Sequence, residues 1–176
     1  MIDADKLKNI KRSTIVIGLA EHNQFPIVVL GTGFFVSSDA LIMSAGHVLE
    51  ECVKAKQHLE KTYGKALDLV ASFAYTSKRE QHMVSARIGQ VRLNKIKRFD
   101  LGYVGPIDFD IAVAQLEEKK SKPLAFLDLN PTKAELYQEV AICGYPQGSE
   151  SFALLNNPSG LKLSPIIQFG HRIYAI

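Results

Sequence analysis

Residues 41–50, LIMSAGHVLE, carry an apolar, strand-like run through Ser44, Ala45 and Gly46 to His47, and then into a segment of helical character. A histidine whose neighbours are this small is open to approach on several sides. It is either a structural residue or an exposed base, and its partners elsewhere in the chain have to decide which.

Upstream, STIVIGLA (13–20) and FPIVVLGTGFFVSS (25–38) are rich in β-branched and aromatic residues and are bounded by turn formers, the composition of strands. ALIMSAG (40–46) is a third such run, and the SSD before it is a tight-turn signal. The three read as an antiparallel meander. Downstream, VLEECVKAKQHLEKT (48–62) changes character: Val48, Leu49, Cys52, Val53 and Leu59 recur at a partly helical period, and Gly64 is a natural stop. One helix is expected there. Strand texture then returns in LDLVASFAYTS (67–77), MVSARIGQVRLNKI (83–96), DIAVAQLE (110–117), LAFLDL (124–129), EVAICGYPQG (139–148), FALLNN (152–157) and PIIQFGHRIYAI (165–176). Many short strands, one helix and frequent turns define an all-β class, an antiparallel barrel or sandwich. Alternating βα units, which would build a doubly wound sheet, do not occur.

The bulk numbers fit one globular domain or two very small ones. The chain has 176 residues, 47% hydrophobic and 22% charged. A net charge of +3 is too small to require a nucleic-acid or membrane partner. The basic residues between 78 and 98 lack interleaved aromatic stacking platforms and read as a solvated hairpin face rather than a nucleic-acid surface. The charged N-terminus MIDADKLKNIKRS has no apolar leader core. Cys52 and Cys143 have neither metal-ligand nor disulfide-framework spacing, and are expected as reduced, buried thiols. These features together point to a cytoplasmic protein and by themselves call for no metal or cofactor.

Two aspartates are candidate partners for His47. Asp110 opens the apolar strand FDIAVAQLE and is costly to bury there without compensating hydrogen bonds. Asp108, two residues earlier, shares its side of an extended segment. Asp110 is preferred because it abuts Ile111, Ala112 and Val113 directly. His58, His82 and His171 lie in polar or helix-like surroundings and read as surface residues. The His-Glu-x-x-His spacing of a helical zinc site is missing.

The segments GTGFFVSSDALIMSAGHV, DFDIAVAQLE and AICGYPQG, in that order, resemble the trypsin-like, chymotrypsin-fold serine proteases, in particular the bacterial branch that includes the HtrA proteases. The resemblance covers roughly residues 13 to 176. It implies a chymotrypsin-like antiparallel β-barrel over 1–148, with a helix inserted near 48–62, and the opening strands of an incomplete second barrel over 149–176. It assigns His47 as general base and Asp110 as the carboxylate that orients it, acting on peptide or protein substrates. Ala45 and Gly46 would then keep the imidazole unobstructed, and backbone N–H groups near Gly46 could bind the carboxylate. Gly31 and Gly33 would let the preceding strand bend near the site. The wide spacing of His47 and Asp110 reads as the product of two insertions, the helix at 48–62 and the hairpin at 67–96. The family's nucleophile segment, Gly-x-Ser-Gly-Gly, is not present in the 176 residues. Ser159, in NPSGLKL, and Cys143 are weak substitutes. The expected function is therefore a serine endopeptidase whose base and acid are here and whose nucleophile is not. The alternative is a pseudoprotease serving as a binding or scaffold module. An open half-barrel would need cover from a partner chain, a second copy or further polypeptide.

Overall fold

In a computed structural model of the chain, the residues described are 3–22, 24, 26–77, 80–94, 99–100, 106–107, 110–117, 124–129, 139–145 and 165–171. Among them are two helices and ten strands: α1 (Ala4–Ser13), β1 (Thr14–Ala20), β2 (Val28–Phe35), β3 (Leu41–Ser44), α2 (Gly46–Tyr63), β4 (Asp68–Ser77), β5 (Glu80–Asn94), β6 (Phe99–Asp100), β7 (Pro106–Ile107), β8 (Ile111–Leu116), β9 (Glu139–Gly144) and β10 (Ile166–His171). FALLNN and residues 172–176 lie outside the described residues.

Six strands close into an antiparallel barrel in the order β1-β2-β3-β8-β5-β4. The first three are the expected meander, with Ile15 opposite Gly33 and Phe34 opposite Met43. β1 is buried along its whole length because both of its faces are covered. Ile15 and Ile17 enter the barrel core with Phe35, Ile42 and Phe73. Val16, pointing the other way, packs with Val29 and Tyr145 outside the barrel. Phe35 and Phe73 meet edge to face, with centroids 5.0 Å apart and planes at 85°, an arrangement aromatic quadrupoles favour.

α2 lies over the barrel and sends Val48, Leu49 and Cys52 into its core. It begins two residues earlier than the hydrophobic period suggests, at Gly46, with Ala45 in extended conformation at the N-cap. It ends as expected. Gly64 adopts φ 67°, the left-handed region that only glycine enters without steric cost, and its N–H bonds Glu60 O at 2.9 Å.

Three expectations change. The hairpin at 67–96 is not an insertion: β4 pairs with β1 and β5 pairs with β8, so this hairpin is barrel wall. Without it the barrel could not close. LAFLDL is not a strand, although Leu124 is buried and Leu127 N–H donates to Phe35 O at 2.9 Å. And the charged N-terminus forms α1. Asp3 caps it, its Oδ1 accepting from Lys6 N–H at 2.7 Å, while Asp5 in the first turn and Lys11 and Arg12 in the last complement the helix dipole. Asn9 Nδ2 donates to Phe126 O at 2.9 Å and pins α1 to the 124–129 segment.

β9 and β10 form a separate two-stranded sheet. It docks through Tyr145, which is buried against Val16 and Val29, and whose N–H donates to Thr32 Oγ1 at 2.9 Å. Ile142, Ile166 and Phe169 of this sheet stay exposed. No helix among the described residues is long and apolar enough to cross a membrane.

Truncating Phe35 removes a fully buried ring and its partner contact with Phe73. Phe35→Ala should lower unfolding free energy by about 3–5 kcal/mol, read from urea denaturation. A loss under about 1 kcal/mol would mean that the barrel core is not packed as described.

Candidate active site

The site is set by the β3–β8 ladder. Leu41 pairs with Gln115, Ile42 with Ala114, Met43 with Val113 and Ser44 with Ala112. Continued by two residues, this register places Gly46 opposite Asp110. Gly46 is also where α2 begins, so the carboxylate of Asp110 meets the first turn of a helix. The first N–H groups of a helix have no partner within it and carry partial positive charge. His47 N–H donates to Asp110 Oδ1 at 2.7 Å. The His47 ring turns back along the same carboxylate, Nδ1 meeting Oδ2 in a short hydrogen bond. One carboxylate therefore holds both the backbone and the ring of His47.

Gly46 has a steric reason to be glycine. A Cβ there would sit 2.8 Å from Asp110 Oδ1, in the space the carboxylate needs. Ser44, just before, donates its hydroxyl to Thr32 O at 2.8 Å. Thr32 also receives Tyr145 N–H, so one residue of β2 ties together the end of β3 and the end of β9. The glycines of β2 serve packing as well as the irregularity expected of them, since the β1–β2 register shifts beside Gly31, between the pairs Ile17–Gly31 and Gly18–Val29. A Cβ at Gly31 would meet Val48, and one at Gly33 would meet Ile17 Cδ1 at 2.8 Å.

The electrostatics follow from the contacts. The ring hydrogen bond from His47, and then its backbone N–H, hold the Asp110 carboxyl below its ordinary range, with smaller help from the Gly46 N–H. With Nδ1–H donated to Asp110, Nε2 is left as the acceptor. The His47 side chain is 61% exposed, so that nitrogen's side of the ring is within reach of a ligand.

The other candidates stand apart from this pair. Asp108 and Ser159 lie outside the described residues, as do the side chains of His82 and His171. His58 is exposed on α2. Cys143 sits 3.3 Å from Thr14 Oγ1, and burial pushes its thiol up, against the thiolate a nucleophile requires. Burial, with the nearby Glu51 carboxylate, pushes the Cys52 thiol up to about 12. Within the basic stretch, Arg87 pairs with Glu117 at 3.0 Å on the surface; the side chains of Lys78, Arg79, Arg92, Lys95, Lys97 and Arg98 lie outside the described residues. A second histidine–aspartate pair was not anticipated. His22 Nδ1 lies 3.0 Å from Asp68 Oδ2, beside the Glu21–Lys65 ion pair. Nothing in the sequence near His22 or Asp68 singles them out. Among the described residues no cluster of His, Cys, Asp and Glu could hold a metal ion.

Comparison with known proteins bears on the same region. A family model described as trypsin-like peptidase domain matches residues 31–170. The match spans most of the chain, and the protein belongs to the trypsin-like peptidase family. No curated protein sequence matches it. Among solved structures, the apo protease domain of MamO from Magnetospirillum magneticum aligns at TM-score 0.48 and 10% identity, over 94% of this chain. The alignment spans 62% of that protease-domain chain.

Asp110 supplies an acid-sensitive contribution to stability. Its carboxyl is held low in the folded state, so the contribution is complete above the ordinary carboxylate range near pH ~4. It is lost as pH falls through the lower folded value. Asp110→Asn should flatten the acid limb of stability between about pH 5 and pH 2, followed by urea titrations at stepped pH. An acid limb as steep as that of the unmodified protein would show that the carboxylate is not held as described.

Proposed function

We propose that His47 and Asp110 are the general base and its orienting carboxylate in a serine endopeptidase that hydrolyses peptide bonds by acyl transfer. The observation that carries this reading is the double hold of Asp110 on His47, backbone through Oδ1 and ring through Oδ2. A surface ion pair needs neither contact. Together they fix tautomer and orientation, which is what a base facing a hydroxyl requires.

In the proposed reaction, Nε2 of His47 takes the proton from an attacking serine hydroxyl and passes it to the leaving amine. Asp110 stays ionised throughout and stabilises the imidazolium formed in between. A carboxyl held below its usual range suits that role, because it does not compete for the proton. The 176 residues hold no Gly-x-Ser-Gly-Gly segment, so this reading assigns no nucleophile, oxyanion donors or main specificity pocket among them. The free thiols of Cys52 and Cys143 support placing the enzyme in a reducing, cytoplasmic compartment.

A second reading has its own support. The exposed Ile142, Ile166 and Phe169 suit a binding or scaffold module of the same family, with its second sheet covered by a partner chain or a second copy.

Labelling of the full-length gene product by a serine-reactive fluorophosphonate probe separates the two. The peptidase reading expects labelling. It also expects a fall in kcat of at least roughly 10³-fold in His47→Ala, with an unchanged far-UV spectrum. An unlabelled full-length product would rule out the peptidase and leave the binding module.

A further inference from the structure

Gly31 of β2 lies under the first turn of α2. A Cβ at that position would stand 2.6 and 2.7 Å from the two methyl groups of Val48 and 3.3 Å from its Cβ. Val48 directly follows His47, is buried, and belongs to the same core cluster as Leu49 and Cys52.

Such a crowding could be relieved cheaply only if the blocking group could swing away. Val48 cannot. A β-branched residue in a helix is held to essentially one χ1 rotamer, and rotation would in any case leave its Cβ where it is. Both methyls and the branching carbon face Gly31, so a larger residue there must lift the helix backbone itself. Leu49 and Cys52 hold the other side of the turn in the core with no exposure, so the displacement falls on the turn that carries His47 N–H. That N–H donates to Asp110 Oδ1 at 2.7 Å, and tilting the turn misaligns the donor, which weakens a hydrogen bond steeply once its angle falls below about 120°.

We infer that Gly31 and Val48 are positioning residues for the His47–Asp110 pair: the bare backbone of Gly31 admits the Val48 side chain, and this contact sets the height of α2's first turn over β2. Gly46 clears the opposite approach, where a Cβ would meet Asp110 Oδ1 at 2.8 Å. The turn is thus located by two bare positions, one facing the valine and one facing the carboxylate. The effect on turnover rests on the peptidase reading; the effect on the hydrogen bond rests on geometry alone.

The test uses Gly31→Ala, Val48→Ala and the double variant, each read in two ways. The first readout is the low-field proton resonance of the His47 Nδ1–H bond to Asp110 in the NMR spectrum. The second is kcat and KM on peptide substrates with the full-length gene product. Gly31→Ala should shift that resonance upfield or broaden it away, and lower kcat roughly 10- to 100-fold with little change in KM. Adding Val48→Ala should restore the resonance and most of kcat, because the clash is gone. A defect of packing alone would lower stability without moving the His47 Nδ1–H resonance, so the resonance separates the two.

Gly31→Ala with an unchanged resonance and kcat overturns the inference, and so does a double variant no better than the single. If Gly31→Ala fails to fold, a folded double variant with an intact resonance supports it and an unfolded one sinks it. If no variant and no parent turns over substrate while the resonances behave as expected, the positioning role stands and the peptidase reading falls.

Discussion

The arrangement depends on one carboxylate meeting one helix end. Asp110 is 63 residues from His47 along the chain, yet its two oxygens take the backbone N–H and the ring of that histidine. The Asp110 carboxylate is half exposed, so its place is set by the donors it meets rather than by a cost of burial. The first turn of a helix offers N–H groups that have no other use. Each element satisfies the other's unpaired group, which is why the contact holds although both side chains are about half exposed. Solvent screening weakens the simple attraction of two such charges. The backbone donor remains, and its aim is fixed by the helix.

The barrel makes that meeting unavoidable. Side chains alternate along a strand, so a slip of one residue between β3 and β8 would turn Asp110 to the other face. The slip is blocked by the core. In the observed register Ile42, Ala112, Ala114 and Leu116 all point inward, and shifting it would expose them. Closure of the sheet adds a second constraint, because β8 is held on its other side by β5 from Ile88 to Asn94. The energy that aims the dyad is therefore apolar burial, spent far from the histidine itself.

This division explains what could be read in advance. Ser44-Ala45-Gly46-His47 and the aspartate before Ile111 stand out locally, because each breaks an apolar run with residues that run does not need. The meander and the close of α2 at Gly64 follow from local pattern as well. α1 was obscured because charge dominates ADKLKNIKRS; its signals were Asp3 as cap and Leu7 and Ile10 three residues apart. The hairpin at 67–96 was misjudged from chain spacing, whereas its strands are needed to close the barrel. LAFLDL has strand composition, yet it is held by Leu124 in the core and by single hydrogen bonds to Asn9 and Phe35 rather than by a ladder. The meaning of Gly31 could not be seen at all, since a glycine in a strand does not announce which side chain it makes room for.

What remains is an asymmetry in the site. On its aspartate side His47 is fully specified, by the register, by Gly46 and by the turn of α2. On the other side its ring is open, and elsewhere the sheet of β9 and β10 presents Ile142, Ile166 and Phe169 to solvent. The orientation of the His47 ring therefore does not depend on that sheet. Tyr145 and Thr32 transmit position between the two regions: β9 ends on the same residue of β2 that receives the Ser44 hydroxyl. A segment folding onto β9 and β10 would thus be registered against β2, and through β2 against the end of β3 that leads to His47. A group delivered from there would meet a histidine ring already held by Asp110. A partner's apolar surface would meet the same frame without using the base. The geometry of the histidine is common to both outcomes, and the chemistry is decided by what is brought to its open side.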